Sequence, residues 1–266
     1  MRLAQPVCFA LLLALTALSG ACRPAAGDAT LRLLCSAGLH SAVDELVGAF
    51  SEESGIAIEP DYAGSGLILS KAREDAEVDL FLPGDTFYVD ELQKLTGRVA
   101  ERTDIAYLVP CLVVAGGNPK KILSLQDVAR PEVRLALGNP ETCQIGRVSA
   151  SLLQSAGVAA VLAQAKQGLT VNELGLWVKT GDVDVALVWD ATAAALGPTV
   201  EVIALPASTE ASRVTVALLS AGPRAESARQ FMRFCTEARA QGILSRLGFR
   251  TTPPAAGPLA GSGAEG

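Results

Sequence analysis

Four short stretches of this sequence place small residues between an expected strand and an expected helix. They are Ser36-Ala37-Gly38-Leu39, Ala63-Gly64-Ser65-Gly66, the turn from Asn139 and Pro140 through Glu141, Thr142, Cys143, Gln144 and Ile145 to Gly146, and Thr170-Val171-Asn172. A helix start leaves its first N–H groups without intrahelical acceptors and carries the positive end of the helix dipole. Each turn therefore offers neutral donors suited to an anion. A charge-assisted hydrogen bond contributes about 1.5–3 kcal/mol net. Five or six together exceed the roughly 8 kcal/mol of micromolar affinity, before the cost of closing around the guest. A single glycine turn is usually only a turn, so the signal is the recurrence.

Other chemistry finds little support. The only histidine is His40, so a multi-histidine metal site is excluded. Position 63 is alanine, which removes a G-x-S-x-G nucleophile turn, and no H-E-x-x-H occurs. An enzyme is not expected, nor is a resident metal or cofactor. Cys35, His40 and Cys143 are the one conceivable soft-metal set, but His40 reads as a surface histidine. Cys143 lies inside the third turn, where an S–H donor, a disulfide partner and a small buried residue are all open readings. Asp85 and Asp190 follow strands and read first as helix caps. Trp177 reads as core.

The elements that must position these turns alternate. Strands are expected at 31–35, 56–62, 78–82, 133–137, 183–189, 200–205 and 214–219. Helices are expected at 40–53, 65–73, 87–95, 145–155, 158–166, 171–179, 191–196 and 225–247. The apolar stretch 105–115 carries Pro110 in its middle, so a strand there must break or change sheet. This is an α/β pattern with buried, mainly parallel strands flanked by helices. Two βα series suggest two lobes, residues 30–109 plus 213–250 and residues 110–212. Two chain crossings between lobes make a hinge, and a ligand belongs between them at strand C-termini.

The 266 residues are 50% hydrophobic and 19% charged, so a sizeable core is expected and bulk disorder is not. With 28 acids against 22 bases the net charge is −6, and no basic stripe appears, so nucleic acid is not an expected partner. Residues 1–21 have the layout of a secretory signal, with Arg2, the apolar run from Val7 to Leu18, then Ser19, Gly20 and Ala21 before Cys22. The Leu-Ser-Gly-Ala-Cys sequence resembles a bacterial lipobox, in which Cys22 is lipidated; an ordinary signal cleaved nearby is the alternative. Residues 22–29 then form a tether that would hold the chain at a membrane surface by its lipid alone. The Pro-, Gly- and Ala-rich end, 251–266, is expected to be disordered. Cys35, Cys111, Cys143 and Cys235 remain, and either disulfides or buried thiols are compatible with an exported chain.

The order CSAGLHSAVDELVGAF, DYAGSGLILSKA, VDLFLPGD, LALGNPETCQIG, DVDVALVWDATAA and QGILSRLGF, running from Leu31 to Phe249, resembles the periplasmic molybdate-binding proteins. The resemblance implies the type II two-lobed binding-protein fold and an exported, monomeric solute receptor of an ATP-driven importer, with a membrane permease as partner. It implies a tetrahedral oxyanion, molybdate or tungstate, as ligand. In that family two serine hydroxyls, backbone amides and a tyrosine hydroxyl hold the anion. The second serine corresponds to Ser65, with Gly66 beside it, and the amides to Ile145 and Val171. The first serine corresponds to Gly38 and the tyrosine to Trp189, so one hydroxyl is lost and a phenol is replaced by an indole N–H. Ser36, two residues before Gly38, is placed to compensate. Because specificity follows the donor pattern, a small organic or phosphorylated acid, or a metal cation, stands as the alternative ligand.

Overall fold

Leu31, Leu33, Leu34 and Cys35 are buried within β1 (Leu31–Ser36), the second strand of a five-stranded sheet. The computed structural model describes residues 30–206, 209, 211–219 and 222–254. The signal segment, Cys22, the tether and the tail from residue 255 lie outside the described residues.

A 3-10 turn over Ala37–Leu39 leads into α1 (His40–Ser54), which buries Ala42, Val43, Leu46 and Phe50 at helical spacing. It stops at Gly55, whose φ of 74° is left-handed. Next come β2 (Ile58–Ala63), α2 (Ser65–Glu74), β3 (Leu80–Leu82) and α3 (Thr86–Thr96). Pro60 is tolerated in β2 because that strand is the sheet edge. β4 (Glu101–Leu108) closes the opposite edge.

At Val109 the chain leaves this sheet. β5 (Pro110–Ala115) starts on the proline and pairs with strands of a second sheet, so the apolar stretch does change sheet there. β6 (Leu135–Gly138), α4 (Gln144–Ser155), β7 (Lys166–Gly168), α5 (Val171–Lys179), β8 (Val185–Trp189), α6 (Asp190–Leu196) and β9 (Val200–Ala204) complete the second unit. β10 (Ser212–Leu218) returns to the first sheet, and α7 (Ala225–Phe234) and α8 (Ala238–Arg246) follow.

The strand orders are β2-β1-β3-β10-β4 and β7-β6-β8-β5-β9. In each sheet four strands run one way and one runs against them, β10 in the first and β5 in the second. The expected α/β alternation is present, and the antiparallel strands are those next to the crossings. Asp190 of α6 ties the crossing together. Its amide donates to the Val109 carbonyl at 2.9 Å, and its carboxylate accepts from the Val109 amide at 3.0 Å and from Arg250 Nε at 2.8 Å.

Two expected helices are corrected. Residues 158–166 form only a 3-10 stretch, Ala159–Ala163, before the short edge strand β7. Lys166-Gln167-Gly168 has no apolar alternation to announce a strand; its pairing with β6 makes it one. The helix expected at 225–247 is two, broken at Cys235–Glu237, because Glu237 takes an extended conformation at the start of α8.

Candidate functional site

The C-terminal ends of three parallel strands in each sheet point into the space between the sheets. From the first sheet come Ser36 at the end of β1, Gly64 and Ser65 after β2, and Gly84 after β3. From the second come Cys143, Gln144 and Ile145 where α4 starts, Thr170 and Val171 where α5 starts, and Trp189 at the end of β8. Together with Ala37, Gly38 and Leu39 they wall a small cavity between the sheets. Its wall among the described residues carries no charged side chain.

The donors are hydroxyls and amides. Ser65 is 2% exposed; its Oγ donates to Ser36 Oγ at 3.3 Å and accepts from the Gly84 amide at 3.1 Å. The two hydroxyls therefore sit side by side on the first-sheet wall, with Ser36 turned inward. The amides of Gly38, Ser65, Ile145 and Val171 have no backbone acceptor among the described residues. They belong to a 3-10 turn and to the first turns of α2, α4 and α5, so the helix dipoles add to them. The Trp189 indole is 5% exposed, lines the cavity and makes no hydrogen bond within the described residues. Cys143 adds a neutral thiol: burial raises its pKa, the facing amides of Ile145 and Gly146 oppose this, and it settles at about 11.

The two units are in contact around this space. A Cβ placed on Gly64 would lie 2.6 Å from the Thr142 carbonyl oxygen, and one on Gly66 would collide with the Glu141 carbonyl oxygen. A Cβ on Gly38 would reach 3.0 Å from Val171 Cγ1. Asn172 Nδ2 donates to the Ala37 carbonyl at 3.2 Å. These glycines lack side chains where the backbone of one unit closes on the other.

Seven of the eight expected site residues, Gly38, Ser65, Ile145, Val171, Trp189, Ser36 and Cys143, lie on the cavity wall. Gly66 does not; it forms the seam against Glu141 and Thr142. Asp85 caps α3, accepting from the Phe87 amide at 2.6 Å and from the Ser212 hydroxyl. His40 lies on the surface, 3.5 Å from the Asp44 carboxylate and edge-on to Tyr62. The four cysteines are buried and unpaired, and no group of three or more metal-binding side chains exists among the described residues. Trp177 packs outside the cavity under Lys166. Besides Trp189, five wall residues, Gly84, Leu108, Leu169, Ala191 and Thr192, lie outside the four turns that the sequence marks.

A family model described as bacterial extracellular solute-binding protein matches residues 31–250. The molybdate-binding protein ModA of Mycobacterium bovis is 27% identical over 228 residues, 85% of this chain and 86% of the relative. Among solved structures, the sulfate-binding protein SubI from Mycobacterium tuberculosis H37Rv superposes with a TM-score of 0.73 at 19% identity, over 85% of this chain and 88% of that one. The Azotobacter vinelandii periplasmic molybdate-binding protein superposes with a TM-score of 0.68 at 19% identity, over 82% and 98%. The fold is thus that of the two-lobed type II binding proteins. No helix among the described residues is long and apolar enough to cross a membrane.

Proposed function

The chain belongs to the bacterial extracellular solute-binding protein family, and from that premise we propose that it is the lipid-anchored receptor of an ATP-driven importer for a tetrahedral oxyanion, molybdate or tungstate. The observation that carries this reading is the convergence of amides without a backbone acceptor, from both sheets, and two serine hydroxyls on one cavity without a charged wall. A fully ionised oxyanion accepts at every oxygen and needs donors only. Ser36, Gly38 and Ser65 would hold it from one lobe, and Ile145, Val171 and Trp189 from the other. Cys143 would fill the remaining wall. The lobes are residues 30–109 plus 213–250 and residues 110–212, hinged where Val109 crosses. Each lobe alone offers only part of the donor set, so the guest favours the closed form. Export and lipidation at Cys22 would place the receptor outside the cytoplasm beside its permease, acting as a monomer. Its role is binding and delivery, not catalysis.

The test is calorimetry of the purified protein with molybdate, tungstate, sulfate and phosphate. Micromolar or tighter binding of molybdate or tungstate is expected; no response to any of the four at millimolar concentration would sink the reading.

A second reading has one observation in its favour. A groove lined by His40, Asn172, Arg246 and Phe249 shares Ala37, Gly38, Ala191 and Thr192 with the cavity wall. A phosphorylated organic acid would place its head in the cavity and its remainder there. Competition between tungstate and a sugar phosphate, followed by calorimetry, separates the two. A cation fits poorly, because the wall offers no carboxylate.

A further inference from the structure

Arg147 lies one turn into α4, on the same face as Gln144 of the cavity wall. Its guanidinium crosses the seam and sits 3.3 Å from the centroid of the Phe87 ring on α3. It is half-buried, its Nη1 is buried without any acceptor, and no carboxylate pairs with it among the described residues. The Tyr88 hydroxyl, on a residue 3% exposed, is the neutral group beside this guanidinium and makes no hydrogen bond of ordinary geometry. Burial raises the Tyr88 pKa, and the neighbouring Arg147 opposes that rise.

Two other cations close to the cavity are already paired, Arg246 with Glu45 and Arg250 with Asp190. Asp85, which acts electrostatically on Tyr88, is bound to the Phe87 amide and the Ser212 hydroxyl rather than to Arg147. A charge withdrawn from water without a counter-charge is costly. Stacking on an aromatic face recovers only about 0.5–2 kcal/mol of that cost. A negative guest in the adjoining cavity would offset the remainder.

We propose that Arg147 is the counter-charge of the bound oxyanion, a specificity-determining residue that reads the guest's charge where the neutral cradle reads its shape. The assignment rests on the oxyanion reading above. Amides and hydroxyls bond well to any oxyanion of the right shape. A cation behind Gln144 adds an attraction that scales with the guest's charge and falls slowly with distance at the low effective dielectric of a closed cleft. Phe87 holds the guanidinium in place, so the charge reaches full effect only when α3 and α4 meet, which couples charge recognition to closure.

Tungstate and perrhenate test this, being tetrahedral oxyanions of similar size with two charges and one. Their affinities would be measured by calorimetry at pH 8 for the unmodified protein and for Arg147→Met, Arg147→Gln, Arg147→Lys and Phe87→Leu. Tungstate is expected to bind at least about 100-fold more tightly than perrhenate to the unmodified protein. Arg147→Met and Arg147→Gln should narrow that ratio about tenfold through lost tungstate affinity, while Arg147→Lys keeps it within about threefold. Phe87→Leu should narrow the ratio in the same direction but by less, because the guanidinium loses the face that holds it. An unchanged ratio in the folded Met or Gln variant would overturn the counter-charge assignment and leave the oxyanion reading standing. Failure of the unmodified protein to bind either anion would overturn both. The Gln variant is the alternative should the Met variant not fold.

Discussion

Ser65 Oγ lies 3.3 Å from Ser36 Oγ, at the ends of two neighbouring parallel strands, and also receives the Gly84 amide at 3.1 Å. On the oxyanion reading, Ser36 would supply from β1 the hydroxyl that Gly38 lacks. An anion entering the cavity would turn both hydroxyls from each other onto itself. Ser65→Ala is therefore expected to weaken tungstate binding by about 10- to 100-fold, the value of one charge-assisted bond. It should also lower stability by about 1–3 kcal/mol, because the Gly84 amide is left without its acceptor. Calorimetry and urea unfolding measure the two effects; full affinity in this variant would remove Ser65 from the site.

Closure depends on absent side chains. Gly64→Ala would set a methyl 2.6 Å from the Thr142 carbonyl oxygen, a backbone atom that cannot rotate away. Gly64→Ala and Gly66→Ala should hold the lobes apart and weaken anion binding at least about 30-fold, with little change in melting temperature. Small-angle scattering with saturating tungstate would show a larger radius than the unmodified protein. An unchanged radius together with unchanged affinity would contradict the seam as drawn.

Gly38 behaves differently. A Cβ there meets only the Val171 Cγ1 methyl, at 3.0 Å, and a rotatable side chain can yield. Gly38→Ser should fold normally and raise tungstate affinity several-fold by adding a hydroxyl to the wall. A loss of affinity would mean that Val171 cannot give way.

Cys143 is the cysteine on the cavity wall, with its thiol pKa raised to about 11. At pH 8 roughly one molecule in a thousand carries the thiolate. Alkylation by a maleimide should be slow, should speed up as pH rises toward 11, and should slow further when tungstate occupies the cavity. Peptide mapping by mass spectrometry follows this site apart from Cys35 and Cys235, which lie deeper. Labelling of Cys143 that ignores the anion would place the ligand elsewhere.

Acid sensitivity follows from Asp184, whose carboxyl is held below the usual 3.8 chiefly by its hydrogen bond from Arg134. A depressed carboxyl contributes stability that is fully present above its unfolded pKa and lost as pH falls through the folded one. Asp184→Asn should thus be less stable than the parent at pH 7, and the gap should close below about pH 4. Arg134 is half-exposed, so the gap will be modest. Thermal melts across pH 3–7 provide the comparison; a gap that is constant with pH would assign the effect to packing.

Much of the site was legible because its parts are local. A strand end, a small-residue turn and a helix start are written within a few residues, and seven of eight expected residues reached one wall. Gly66 escaped because its role is a contact with Glu141 and Thr142, far away in the chain. β7 escaped for the same reason: Lys166-Gln167-Gly168 is a strand only because β6 lies beside it. Nothing near Arg147 in sequence marks it out, since an arginine within an amphipathic helix reads as a solvated side chain.

The sequence by itself determined the alternating elements, the change of sheet at Pro110 and the uncharged donors of the turns. Each follows from backbone chemistry and short-range periodicity. Only the tertiary structure decided that Ser36 faces Ser65, that the four described cysteines stay apart, and that Arg147 of α4 rests on Phe87 of α3. Those are distances between residues of remote sequence position. They are fixed by how two sheets and their helices pack, not by any residue's own preference.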